Sequence, residues 1–220
     1  RTATFTFTYD NTNNASASDS AAQDFTLQLS AASQSGQISF VYSGAIGSPT
    51  TPDPRTLSGV TGDYLEDTIT APEGYYIVAI DGSAYNVSYV NNQYDTVTYT
   101  LTMDDTDNGN EASDKAPQNL VITLAPNNQK ATVTQHMPDG TTMVTDTQNG
   151  KTAESYGYMY TAPAGYYVAS GAVTTASGIT ADIATDGKTV SLDGNFDSSK
   201  DTGDAGTDTA PQNTDITLTQ

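Results

Sequence analysis

The chain has 220 residues, which fits one large or about two ordinary domains. It carries 26 acids against seven Lys and Arg, for a net charge of -19, and that excess repels phosphate backbones and argues against nucleic acid as a partner. There is no Cys, so disulfides, thiolate metal sites and thiol nucleophiles are excluded, and no run of about 18 apolar residues exists, so no membrane insertion is expected.

Taken in chain order, strict alternation over residues 3–9, with Phe5, Phe7 and Tyr9 on one face and Thr on the other, predicts a half-buried strand. Residues 37–42 read as the next strand. A short helical turn over 61–67, capped by Thr61 or Asp63, is the one helical expectation. Residues 75–80, 96–102, 119–124, 131–135, 166–169, 189–192 and 215–218 are further strands, rich in β-branched or aromatic residues. Tight turns are expected at Pro72, Asp81-Gly82, Pro138-Asp139-Gly140, Asn149-Gly150, Pro163 and Asp186-Gly187. Gly74 and Gly165 are expected to supply a positive φ just before a Tyr pair enters a strand. The fold class is therefore mainly β, with a β-rich α+β arrangement as the alternative.

The sequence also repeats. Thr70-Ala71-Pro72-Glu73-Gly74-Tyr75-Tyr76 returns as Thr161-Ala162-Pro163-Ala164-Gly165-Tyr166-Tyr167, and Ala116-Pro117-Gln118-Asn119 returns as Ala210-Pro211-Gln212-Asn213. The same end pattern occurs earlier around Gln23 to Leu29, and residues 4–9 resemble 96–101. This divides the chain into residues 1–32, the second half of a preceding repeat, then 33–126 and 127–220 as full repeats. Arrays of this kind make elongated stalks. Export signals are expected outside the segment, because no charged and apolar leader opens it.

The run from Ala131-Thr132-Val133 to Pro138-Asp139-Gly140, then Thr147-Gln148-Asn149-Gly150, then Ala162-Pro163-Ala164-Gly165-Tyr166 resembles the mucin-binding (MucBP) and Mub-type repeats of lactic acid bacterial adhesins. The acidic run from Asp104, followed by Gln118 and Val121-Ile122-Thr123-Leu124, is similar to the closing segment of the same repeats. Two departures stand out: Gly62 of the first repeat is matched by Ala153, and the first repeat carries Ser43-Gly44 and a Pro-rich insertion where the second has its Asp-Gly turn. The resemblance implies a β-grasp-like or related module, anchorage to a Gram-positive cell wall through a region elsewhere, an extracellular location, and attachment to mucin or another host glycoprotein. It brings no catalytic residue.

Candidate chemistry is sparse. His136 is the single histidine, and its sequence neighbourhood offers neither a nucleophile nor an orienting acid, so an enzyme is not expected. Asp104, Asp105, Asp107 and Asn108 form the one candidate cation loop, with a structural calcium ion as the only cofactor weighed. Tyr85, Tyr89 and Tyr94 have no aromatic counterparts in the second repeat and are the candidate glycan-stacking residues. Tyr75, Tyr76, Tyr156, Tyr160, Tyr166 and Tyr167 are assigned to the core. Lys130, Asn213 and Glu154 are weighed as an isopeptide triad, which would need a buried, low-dielectric site. Two functions fit: an adhesin repeat that binds mucus glycoproteins, and a passive stalk that presents a distal binding domain.

Overall fold

A computed structural model of the chain describes residues 4–9, 23–89, 95–106, 114–199, 208 and 210–220, the side chain of Tyr89 excepted. Among these the protein is mainly β, with fourteen strands and no helix. Seven strands lie between residues 33 and 126: β1 (Ser33–Tyr42), β2 (Arg55–Val60), β3 (Tyr64–Thr70), β4 (Tyr75–Asp81), β5 (Tyr85–Tyr89), β6 (Thr96–Thr102) and β7 (Gln118–Pro126). Seven more follow: β8 (Asn128–His136), β9 (Thr142–Lys151), β10 (Ser155–Thr161), β11 (Tyr167–Thr174), β12 (Ile179–Ile183), β13 (Thr189–Asn195) and β14 (Gln212–Thr219).

The first seven form a four-stranded sheet in the order β2-β1-β7-β4 and a three-stranded sheet β3-β6-β5. The second seven repeat the arrangement strand for strand, as β9-β8-β14-β11 and β10-β13-β12. In each half the first and last strands are neighbours and run parallel, while all other pairs are antiparallel. A single apolar cluster in each half draws on both of its sheets, so each half is a two-layer sandwich. A β-grasp would pack a helix on its sheet, and the described residues contain none.

Period-two patterning explains why these segments pair. Along β6, Val97, Tyr99 and Leu101 are buried and the intervening Thr residues face out; along β7, Leu120, Ile122 and Leu124 do the same. Each such Leu or Ile contributes about 1.5–3 kcal/mol of apolar burial. Register aligns the two halves residue by residue. Gly36 lies opposite Gln118 as Ala131 lies opposite Gln212, and Ile69 lies opposite Val97 as Tyr160 lies opposite Val190.

Three sequence expectations are corrected. Residues 61–67 do not form a helical turn: Thr61-Gly62 make a tight turn, and the chain enters β3, where alternation and pairing with β6 override the local capping signal. Asn149-Gly150 is not a hairpin turn but the end of β9. A Cβ on Gly150 would fall within 2.2 Å of the Phe196 ring, so this glycine serves packing rather than reversal. Residues 4–9 are not in a strand, and Phe5, Phe7, Tyr9, Phe25, Leu27 and Leu29 are all exposed. By sequence, 4–9 match β6 and 23–29 match β7, two strands that belong to opposite sheets and need β3, β5, β1 and β4 as neighbours. The two segments touch through Phe5 and Phe25, with ring centroids 4.3 Å apart, and through Gln23, whose Nε2 donates to the Thr8 carbonyl at 3.4 Å.

Candidate functional site

Tyr85 is a core residue, not a glycan platform. Its hydroxyl donates to the Gln118 carbonyl at 2.9 Å, and its ring meets Tyr99 edge-on with centroids 5.6 Å apart. Burial, and after it the neighbouring Tyr99, pushes its phenol up to about 12. The hydroxyl fits because position 36 is glycine: a Cβ there would lie 2.9 Å from it and 2.6 Å from the Gln118 carbonyl. Tyr89 closes β5, its backbone opposite Val97, and Tyr94 lies outside the described residues. Of the tyrosines assigned to the core, Tyr75, Tyr156 and Tyr160 are buried, Tyr76 and Tyr166 are half-buried, and Tyr167 is 39 % exposed.

Asp104, at the start of the acidic run, is held by hydrogen bonds. Asp104 Oδ1 accepts the Thr106 amide at 3.1 Å, and the Asp104 amide donates to Gln118 Oε1 at 3.0 Å. Asp105 is exposed, and Asp107 and Asn108 lie outside the described residues. At the far end of the loop Asp114 accepts the amides of Ala116 (2.9 Å) and Ser35 (2.8 Å) and the Ser35 hydroxyl (3.1 Å). Desolvation acts to raise the Asp114 pKa, but these hydrogen bonds together outweigh it and hold the carboxyl below its usual range. The second half repeats the scheme: Asp197 holds the Ser199 amide and is itself held by Gln212, while Asp208 accepts the amides of Lys130 and Ala210. Among the described residues no three His, Asp or Glu side chains converge as metal ligands.

The isopeptide triad does not assemble. Asn213 is exposed and accepts a hydrogen bond from Thr132, Lys130 faces away from the core, and Glu154 accepts the Lys151 amide. His136, by contrast, has both partners that its sequence neighbourhood lacked. Its Nε2 lies 2.7 Å from Asp215 Oδ1 on β14, and its Nδ1 lies 3.1 Å from Thr142 Oγ1 on β9. Sheet topology brings Asp215 beside His136, and Thr142 faces it across the β8–β9 hairpin. They lie on an outer sheet face, with His136 and Asp215 side chains 38 % and 48 % exposed, so water competes for every one of these bonds.

A buried polar network forms the joint between the sandwiches. Only Asn127 separates β7 from β8, and it is 2 % exposed. Its amide donates to the Gly74 carbonyl at 2.8 Å, and its own carbonyl accepts the Thr152 amide at 3.0 Å. The Thr152 hydroxyl donates to the same Gly74 carbonyl at 2.8 Å and accepts from Gln129 Nε2 at 3.2 Å. Gln129 continues the network to Ser199, donating to its carbonyl at 3.0 Å and accepting its hydroxyl at 2.8 Å. Gly74 and Asn127 thus tie the Pro-x-Gly turn of the first sandwich to the β9–β10 turn of the second.

Glycine is required at position 74 on two counts. Its φ is +82°, and a Cβ would fall 2.7 Å from Thr152 Cγ2 and 2.8 Å from Ser198 Cβ. Gly165, its counterpart in the second half, has φ +88° but faces open space. The sequence offered the positive φ at Gly74 but not its role in the joint; the missed signal is the absence of any linker between two strand patterns. No family model matches the chain, and no curated protein is similar to it in sequence. Among the described residues no helix is long and apolar enough to cross a membrane.

Proposed function

We propose that this chain is a stiff extending segment of a bacterial surface adhesin, whose work is to hold a binding element away from the wall. The single observation that carries the reading is the joint: one buried residue, hydrogen-bonded on both sides, leaves no slack between the sandwiches. A flexible spacer would instead join its modules through several solvated Gly, Ser or Pro residues. The resemblance to Mub-type repeats supplies the cell-surface setting and the mucus glycoprotein as the ligand of the whole adhesin.

The test is a distance distribution between a probe on each sandwich, measured by pulsed electron resonance. A narrow distribution is expected, broadening when two Gly-Ser pairs are inserted after Asn127. An equally broad distribution in both proteins removes the reading.

Direct mucin contact by these repeats is the second reading, and it is supported by the open ring of Tyr64, 62 % exposed, and by Tyr167. Stacking on sugar needs such a face. Retention of the isolated chain on mucin that is lost in Tyr64→Ala with Tyr167→Ala supports contact; no retention leaves the extending role.

A further inference from the structure

The path of the chain through each sandwich has a mechanical meaning. It enters the first at Ser33, the start of β1, and leaves at Pro126, the end of β7. These two strands are hydrogen-bonded neighbours and parallel, in register from Gly36 opposite Gln118 to Tyr42 opposite Leu124. The second sandwich enters at Asn128 and leaves at Thr219 along β8 and β14, in register from Ala131 opposite Gln212 to His136 opposite Thr217. Because the pairs are parallel, entry and exit lie at opposite ends of each pair. Tension along the chain therefore draws the two strands past one another along their own axes.

We infer that each sandwich is a force-bearing clamp and that the chain serves to carry tension between whatever is attached beyond its two ends. In this geometry every backbone hydrogen bond of the terminal pair is loaded at once, so none gives way until many do. In a pair pulled open from one end the bonds fail singly, each weak on its own because water competes for it. Four further features support the same function.

Both loaded strands are central in their sheet, β1 braced by β2 and β7 by β4, and β8 by β9 and β14 by β11. Their inner faces carry Ile38, Phe40, Leu120, Ile122 and Leu124, all buried, so sliding also drags apolar side chains through a packed core. At the entry end of each pair, charge-assisted bonds add to the ladder, two from Ser35 to Asp114 and one from Lys130 to Asp208. The joint passes load from β7 through Asn127 straight into β8. The clamp follows from strand order and direction, and does not depend on what the segment carries.

The test is single-molecule force spectroscopy of the full chain tethered by its two ends. Two discrete ruptures are expected, each releasing about 300 Å, as roughly 90 residues extend at up to about 3.6 Å apiece. The comparison is the same chain carrying Gln37→Cys and Asn119→Cys, register partners exposed on neighbouring strands of a protein with no native Cys. Tethered through these thiols, the first sandwich is peeled rather than sheared and should open at a severalfold lower force. The same double variant pulled from its ends checks that the substitutions leave the fold intact, and should reproduce the parent trace. Equal rupture forces in the sheared and peeled geometries, or smooth extension without ruptures from the ends, would overturn the inference. The probe-distance experiment on the joint is made without load, so either result can fail while the other stands.

Discussion

The two sandwiches share a strand order and a polar frame but fill their interiors differently. Where β1 and β3 of the first pack Phe40 and Ile69, the matching positions of the second hold Gln135 and Tyr160, with the tyrosine hydroxyl donating to Gln135 Oε1 at 2.9 Å inside the core. Where the first has Gly36 beneath the Tyr85 hydroxyl, the second has Ala131. Met103, close to Gly59, is replaced by Phe196, whose ring lies over Gly150. Some apolar positions are shared, such as Val97 with Val190 and Ile122 with Ile216, and so is a polar frame: Gln34 and Gln129 reach Thr61 and Thr152, Gln118 and Gln212 hold the Asp104 and Asp197 amides, and Asp63 and Glu154 reach back to the amides of Val60 and Lys151. Apolar fill can be exchanged at constant volume, whereas a buried donor or acceptor that loses its partner costs about 1–3 kcal/mol. The frame is therefore the less exchangeable half of the design.

The largest test separates the two cores. Ile122→Ala should destabilise the first sandwich by about 3–4 kcal/mol through lost burial and a cavity, while the transition of the second stays in place. Calorimetry of the whole chain reads this as one shifted transition out of two. Gly36→Ala should cost the first sandwich about 2 kcal/mol, because the methyl meets a backbone carbonyl that belongs to the ladder, whereas Ala131→Gly should cost about 1 kcal/mol through backbone freedom and lost burial. Equal effects at the two positions in urea titrations would break the proposed difference between the two cores.

Polar substitutions sharpen it further. Tyr160→Phe should cost about 1–2 kcal/mol by leaving Gln135 Oε1 buried without its donor, and Gln135→Phe combined with Tyr160→Ile, which copies the first core, should recover most of that loss. A double-mutant cycle measures the coupling. At the β9–β10 turn, Ala153 sits at φ 67° where the first half has Gly62 at φ 87°. Ala153→Gly should stabilise the second sandwich by about 1 kcal/mol and Gly62→Ala destabilise the first by a similar amount, read as opposite shifts in midpoint.

The smallest expected signal is spectroscopic. Burial in the first half pushes Tyr85 up to about 12; in the second, burial followed by Asp146 and Tyr158 does the same to Tyr156. A phenol whose folded pKa is raised contributes stability that is complete below its ordinary value near 10 and is lost as pH rises through about 12. Ultraviolet titration should show these phenolates appearing only with alkaline unfolding, and Tyr85→Phe should reduce the late step of the first sandwich alone.

Sequence patterning made the strands around both cores visible where one face is apolar: β6, β7 and β8 fall where alternation puts them, and Gly74 and Gly165 do carry positive φ. It missed β2, β3, β5, β9, β10 and β12; of these, β2, β9 and β12 have mostly exposed or mixed burial patterns and exist because a neighbour offers its ladder. Tyr85 was misplaced because its lack of a counterpart looked like a surface feature, when the reason lies in Gly36, far away in sequence. Residues 4–9 teach the converse, since their alternation matches that of β6 and still forms no strand without partners. The joint and the His136–Asp215 contact were invisible because long-range register, not local spacing, creates them.

The single residue at the joint also bears on how the protein resists proteolysis. A protease must draw several consecutive residues, free of hydrogen bonds, into its cleft, which is why nicking concentrates in exposed loops between folded parts. Here the passage from one sandwich to the next offers Asn127 alone, with its amide and carbonyl both engaged and strand on either side. Cleavage between the two bodies therefore has to wait for one of them to unfold.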